Sequence, residues 1–155
     1  MENLEETVAT GYDPPVKPPT RKRKGEMGDL AFMQRAISLG FGIAKPWGDS
    51  DRYDFVLNCG NLFWRVQVKS TERFAESRYR VKAGGSHSDY QLGEIDFLVA
   101  YIVPVDIWYV VPIAAVVAHK SLRFYPSPGS KGRLEKYRQA WRLFRQAPPP
   151  IVSVL

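Results

Sequence analysis

The chain has one cysteine, Cys59, and two histidines, His87 and His119, in 155 residues. One thiol permits no internal disulfide and cannot supply a thiolate metal cluster. Two histidines are too few for the histidine-rich metal nucleases and zinc hydrolases. No apolar run approaches the roughly 20 residues of a membrane helix. The opening MENLEETVAT is acidic and lacks the apolar core of a secretion signal, so a cytoplasmic protein is expected. Acids are in deficit as well. There are 16 Asp and Glu against 22 Lys and Arg, a net charge of +6. That balance favours an anionic partner, nucleic acid first, although many small basic proteins bind nothing in particular. What is there in plenty is ordinary: 45% hydrophobic residues, enough for one domain with a core.

The most informative stretch is RYDFVLNCGNLFWRVQVKST, Arg52 to Thr71. Tyr53, Phe55 and Leu57 alternate with Asp54, Val56 and Asn58. Leu62, Trp64, Val66 and Val68 alternate with Phe63, Arg65, Gln67 and Lys69. A period of two is the pattern of strands with one dry face. Gly60-Asn61 between them suits a two-residue hairpin turn. Counting outward from it, Cys59 faces Leu62, Asn58 faces Phe63 and Asp54 faces Gln67. Opposed residues share a face with Cβ atoms about 5 Å apart, and Lys69 falls on that same face. A turn one residue longer or shorter would scatter the three.

Residues 1–24 read as a disordered, proline-rich arm ending in the cations Arg21, Lys22, Arg23 and Lys24. Those cations are either a solvated junction or a rail for phosphates. From Glu26 to Gly40 the period is helical, with Met33, Ile37 and Gly40 on one stripe that runs back through Asp29 to Glu26. Ile43-Ala44 starts a short strand that Pro46 ends, and Trp47 is assigned to the core. Arg78 to Lys82 is a strand with Arg78, Arg80 and Lys82 on one face, suited to a DNA backbone. Ala83 to Gln91 is expected to be a mobile loop. Ile95–Val103 and Ile107–Val111 are buried strands, Ile113–His119 a short helix, and Leu122–Tyr125 an edge strand. Leu134, Tyr137, Trp141 and Phe144 step by three and four, the pattern of a carboxyl-terminal helix, with Lys131, Arg138, Arg142 and Arg145 beside it. Residues 147–155 form a tail.

Asp54, Gln67 and an acid from the first helix make an all-oxygen donor set suited to Mg²⁺ or Mn²⁺. Lys69 beside them can hold an attacking water or neutralise charge on a phosphate. The bland alternative is an Asp54–Lys69 ion pair on a solvated face. The order of acidic helix, YDFVL, turn and RVQVKS resembles the PD-(D/E)XK nuclease superfamily, with Asp54 as the aspartate and Gln67-Val68-Lys69 as the triplet. Gln67 stands where an acid is commonest. The QVK variant, the KPWGDSDRYDF approach and the EIDFLVAYIVPVDIWYVVP run are similar to a subgroup resembling group I intron homing endonucleases. There is also similarity to archaeal-type Holliday junction resolvases.

The resemblance covers roughly Lys24 to Pro112. It implies an α/β (α+β) fold with a restriction-endonuclease-like core, a mixed β-sheet flanked by helices, here over residues 25–146. It implies a metal-dependent DNA endonuclease, with Asp54, Gln67 and Asp29 at the metal and Lys69 beside it. Asp29 occupies the slot four residues after Gly25 where the family commonly has a glutamate, and Glu26 on the same stripe is the substitute. Tyr90 and Asp96 are similar to positions near the subgroup's site. Ser70 and Thr71 either bond a phosphate or end a strand; His87 is most simply solvated. The alternatives are an inactive DNA-binding module on this fold, and an interaction protein that dimerises through the Leu134–Phe144 stripe. A chain this small spans little duplex, so a homo-oligomer, dimer or tetramer, is expected with DNA as partner.

Overall fold

The structure, a computed structural model, describes residue 13 and residues 16–148. Most of the expected arm, and the expected tail from residue 149 on, lie outside the described residues. Helix α1 spans Arg21–Ser38 and is followed by strands β1 (Gly42–Ala44), β2 (Phe55–Asn58), β3 (Phe63–Thr71), β4 (Phe74–Ala75) and β5 (Arg78–Lys82). Then come β6 (Phe97–Ile102), β7 (Ile107–Pro112), the short helix α2 (Ile113–Val116) and β8 (Ser121–Phe124).

Helix α1 begins earlier than the cation run suggests. Thr20 is its N-cap, and its Oγ1 accepts the Arg23 N–H at 3.2 Å. Four cations therefore form the first turn, where the helix dipole disfavours them. Arg23 offsets this by pairing with Glu26 at 3.2 Å, and Lys24 by pairing with Glu72. The buried stripe is also rotated from the expected one. Gly28, Phe32 and Ala36 face inward, while Leu30 and Ile37 are 64% and 58% exposed. The cause is a close approach: a Cβ at residue 28 would come within 2.7 Å of Ser70 Oγ on β3. Glycine lets the helix lie on the sheet there, and Phe32 then fills the space against Phe55, with ring centroids 5.3 Å apart. Apolar periodicity ranks Met33 and Ile37 above Gly28 and Ala36, so it points to the wrong face.

The main sheet has the order β1-β2-β3-β6-β7. Only β3–β6 is parallel; the other neighbours are antiparallel. A second sheet has the order β4-β5-β8. Strands β2 and β3 form the expected hairpin. Asn58 opposes Phe63 and Phe55 opposes Val66, and the Cys59 N–H donates to the Leu62 carbonyl at 2.8 Å. Gly60 has φ +86°, so a glycine leads the two-residue turn. The main sheet separates two apolar layers. Val66, Val68, Phe97 and Val99 pack with α1 and the carboxyl-terminal segment. Leu98, Ala100, Tyr109 and Val111 pack with Tyr79, Val81, Leu122 and Phe124 of the second sheet.

Three further expectations are corrected. Residues 134–144 are not a helix: 3₁₀ turns cover Glu135–Tyr137 and Trp141–Arg145, and Gln139 between them has φ +47°. The Gln139 N–H goes to the Trp108 carbonyl at 2.7 Å, so the backbone between the two turns bonds the sheet edge and does not continue a helix. Leu134, Trp141 and Phe144 are buried within this chain, which removes the stripe proposed for dimerisation. The loop at 83–91 is held down, since Ala83, Gly84 and Tyr90 are buried and Arg52 donates to the carbonyls of Ser88 and Asp89 at 3.1 and 3.2 Å. Trp47 is 98% exposed, not in the core. Trp47→Ala should therefore change stability by no more than about 0.5 kcal/mol, measured by urea denaturation.

Candidate active site

Asp54 is the residue before β2 and is anchored by β3. Its Oδ2 accepts the Val68 N–H at 2.8 Å and Gln67 Nε2 at 2.5 Å. Oδ1 accepts no hydrogen bond among the described residues. Val66 and Val68 are buried, and the alternation turns Gln67 and Lys69 to the opposite face. That face forms one side of a cleft of about 900 Å³. Asp54, Gln67, Lys69 and Asp29 all line it, together with Ser70 and Thr71. Arg21 and Lys24 reach it from α1, and Arg78, Arg80 and Lys82 from β5. The hairpin register thus brings together the three groups that sequence counting put on one face.

The acids and the lysine perturb one another. Burial, then the charge of Asp54, push the Asp29 carboxyl up to about 6, and Lys45, 3.7 Å away, opposes this. Burial also raises Asp54, against the Val68 N–H and the charge of Lys69. Lys69 is lowered, chiefly by burial, with Asp54 opposing and Lys82, Arg52 and Arg21 adding to the fall. Its Nζ lies 5.9 Å from the centroid of the buried Tyr90 ring. The Tyr90 hydroxyl is pushed up to about 12 by burial and by Asp54, so it is protonated at neutral pH. Two carboxyls raised chiefly by burial, beside a desolvated ammonium, form a place with room for one more positive charge.

Other candidates lie elsewhere. Glu26 does not line the cleft and is paired with Arg23. Lys22 and Arg23 are exposed outside it, and His87 is exposed. Asp96 is engaged by Arg65, whose backbone N–H and Nε donate to Oδ2 at 2.7 and 3.1 Å and whose Nη2 donates to Oδ1 at 2.9 Å. It ties the start of β6 to β3. Cys59 packs against the core and its thiol is pushed up to about 11 by burial, as suits a filler. Sequence reasoning missed Lys45 and Arg52. Lys45 follows a three-residue strand with no periodic signal, and Arg52 earns its place only through loop contacts.

The Asp29 shift has a measurable consequence. A carboxyl raised from 3.8 to about 6 costs stability as it ionises, so the penalty is absent below pH 4 and complete above pH 6. Its side chain is 25% exposed, so the full conversion of the shift is discounted. In metal-free buffer Asp29→Asn should stabilise the fold by about 1–2 kcal/mol at pH 7.5, and the gain should shrink toward zero near pH 4. Denaturant midpoints at the two pH values test this.

A mixed sheet whose central hairpin presents an aspartate and a Gln-x-Lys to a basic cleft is the arrangement of a phosphodiester-cleaving fold. Residues 20–144 match the family model described as PD-(D/E)XK endonuclease, and the chain belongs to that family. Among solved structures it is similar to a bacterial homing endonuclease, I-Ssp6803I, with a TM-score of 0.71 and 28% identity over 81% of this chain and 91% of that one. A comparison with curated proteins found no match. The fold is thus restriction-endonuclease-like and of the homing-endonuclease kind.

Proposed function

We propose that the protein is a divalent-metal-dependent DNA endonuclease of the PD-(D/E)XK type, working with a Gln-x-Lys variant of the motif. The observation that carries this is the joint placement of Asp54, Gln67 and Lys69 on one side of the β2–β3 hairpin, with Asp29 lining the same cleft and cations at its rim. Among the described residues no three His, Cys, Asp or Glu side chains converge, so the donors are two carboxylates and an amide. They fit a hard ion such as Mg²⁺ or Mn²⁺: oxygen donors, two carboxyls raised by burial, and an Asp54 Oδ1 without a protein donor among the described residues.

When bound, that ion supplies Lewis acidity and a more acidic water. Asp54 and Asp29 would hold it. Gln67 would join them through Oε1 after its amide, which now donates to Asp54, turns over. Glu26 is the less supported acid because Arg23 engages it. Lys69 orients the attacking water or balances charge on the phosphate, and burial keeps its ammonium undiluted by solvent. Arg21, Lys24, Ser70, Arg78, Arg80 and Lys82 take the flanking backbone, and Lys22 and Arg23 add long-range attraction.

A homo-oligomer, dimer or tetramer, belongs to this reading, supported by the outward apolar residues Met27, Leu30 and Ile37 on α1. Sedimentation showing only monomer at micromolar concentration would remove it. No described helix is long and apolar enough to cross a membrane, and cytoplasmic residence is part of the proposal.

The test is incubation with plasmid and with branched DNA, each with and without Mg²⁺ or Mn²⁺. Nicking only with the ion is the expected result, and no nicking of either substrate defeats the proposal. A second reading, a non-cutting DNA-binding module, is favoured by the Gln67 amide nitrogen on Asp54. It predicts salt-sensitive binding indifferent to metal. Calorimetric heat from Mn²⁺ in the parent and none in Asp54→Ala counts against it.

A further inference from the structure

Strands β5 and β8 run antiparallel and set Arg80 directly opposite Arg123. Directly opposed side chains share a face with Cβ atoms about 5 Å apart, and like charges so placed destabilise the pair. Both arginines are exposed, and neither is in an ion pair among the described residues. Their neighbours are treated differently. Lys24 is paired with Glu72 and Arg78 with Glu76. Lys82 lies two residues along from Arg80, about 7 Å away on the same face, opposite Ser121. Arg80 and Lys82 line the cleft; Arg123 does not, and it stands beside them on an edge strand. The second sheet therefore carries an unbalanced cationic face that starts at the cleft and continues outward.

We infer that Arg80 and Arg123 together grip one phosphodiester of the nucleic-acid backbone, beside the one held at Asp54 and Lys69. The inference rests on the nuclease reading and deepens it. It assigns a binding role to Arg123 and routes the flanking backbone over the β5–β8 face. Two guanidinium forks across one strand pair match an anion with several acceptor oxygens, and that anion removes the repulsion between them. Lys82, one side-chain repeat along, meets the next phosphate or the reacting one. The free protein carries a strained like-charge pair that its ligand relieves.

The experiment uses the full chain with Arg80→Ala, Arg123→Ala, Arg123→Gln and the Arg80→Ala/Arg123→Ala double variant. Melting temperature is read at low and high salt without DNA. Affinity for a short duplex is read by anisotropy without divalent metal, over a range of salt. Each Arg123 variant should melt at the parent's temperature or above it at low salt, and each single alanine variant should bind about 3–10-fold more weakly. The double variant should flatten the slope of log affinity against log salt by about one, the share of one phosphate. Three outcomes overturn the inference while leaving the nuclease reading intact: Arg123 variants that bind like the parent, Arg123 variants that melt several degrees lower, or a double variant whose slope flattens by about two. A parent that binds no duplex at any salt also overturns the inference, and the nicking assay decides the nuclease reading separately.

Discussion

Lys69→Ala is expected to lower metal-dependent cleavage by about 10²–10³-fold, the usual cost of removing one pre-positioned electrostatic group. Binding to duplex without metal should fall only a few-fold, because the cations of α1 and β5 still line the cleft. Stability should hold. The Lys69 ammonium is lowered by burial, so alanine removes a desolvated charge as well as its aliphatic stem. Single-turnover cleavage, duplex anisotropy and a thermal melt on one preparation separate these effects. An alanine variant that cuts at the parent's rate would show that the lysine takes no part in the chemistry.

Phe32→Ala should cost about 3–5 kcal/mol, the range for emptying a buried aromatic site. Phe32 is fully buried, and its ring centroid is 5.3 Å from Phe55 and 6.2 Å from both Trp108 and Trp141. It is the residue through which α1, the hairpin, β7 and the carboxyl-terminal segment meet. Collapse into the hole is blocked by Gly28 on one side, where the helix already touches Ser70. The loss should appear as a lower urea midpoint with an unchanged slope. Because α1 also carries Asp29, cleavage should fall with it near the melting temperature and recover on cooling. A loss under about 1 kcal/mol would mean the helix is not docked as described.

The hairpin was legible because its evidence is local. A period of two over both strands, with Gly60-Asn61 between them, fixes register over a few residues, and register alone decides that Asp54, Gln67 and Lys69 share a face. The buried pair β6 and β7 was legible for a similar reason, continuous apolarity around Pro104-Val105-Asp106. The face of α1 was not legible. Its decisive residue is Gly28, whose contribution is the absence of a side chain at a contact with a residue far along the chain. The stripe at Leu134 to Phe144 correctly announced burial and falsely announced a helix. Spacing by three and four also suits successive 3₁₀ turns, and Gln139 bonding to Trp108 settled the matter.

Among site residues the split follows the same line. Asp54, Gln67 and Lys69 come from one hairpin and could be counted onto one face. Asp29 against Glu26 turned on helix rotation, and the structure places Asp29 in the cleft and Glu26 outside it. Arg80 opposite Arg123 depends on which strands pair. By itself the sequence determined the chemistry on offer: two acids, an amide, a lysine and a surplus of cations, with the hairpin that orders three of them. Only the tertiary structure decided which helix face docks, which acid reaches the cleft and which cations border it. Strand alternation is set by neighbouring covalent geometry, whereas helix rotation and sheet partnership are set by packing between residues remote in the chain.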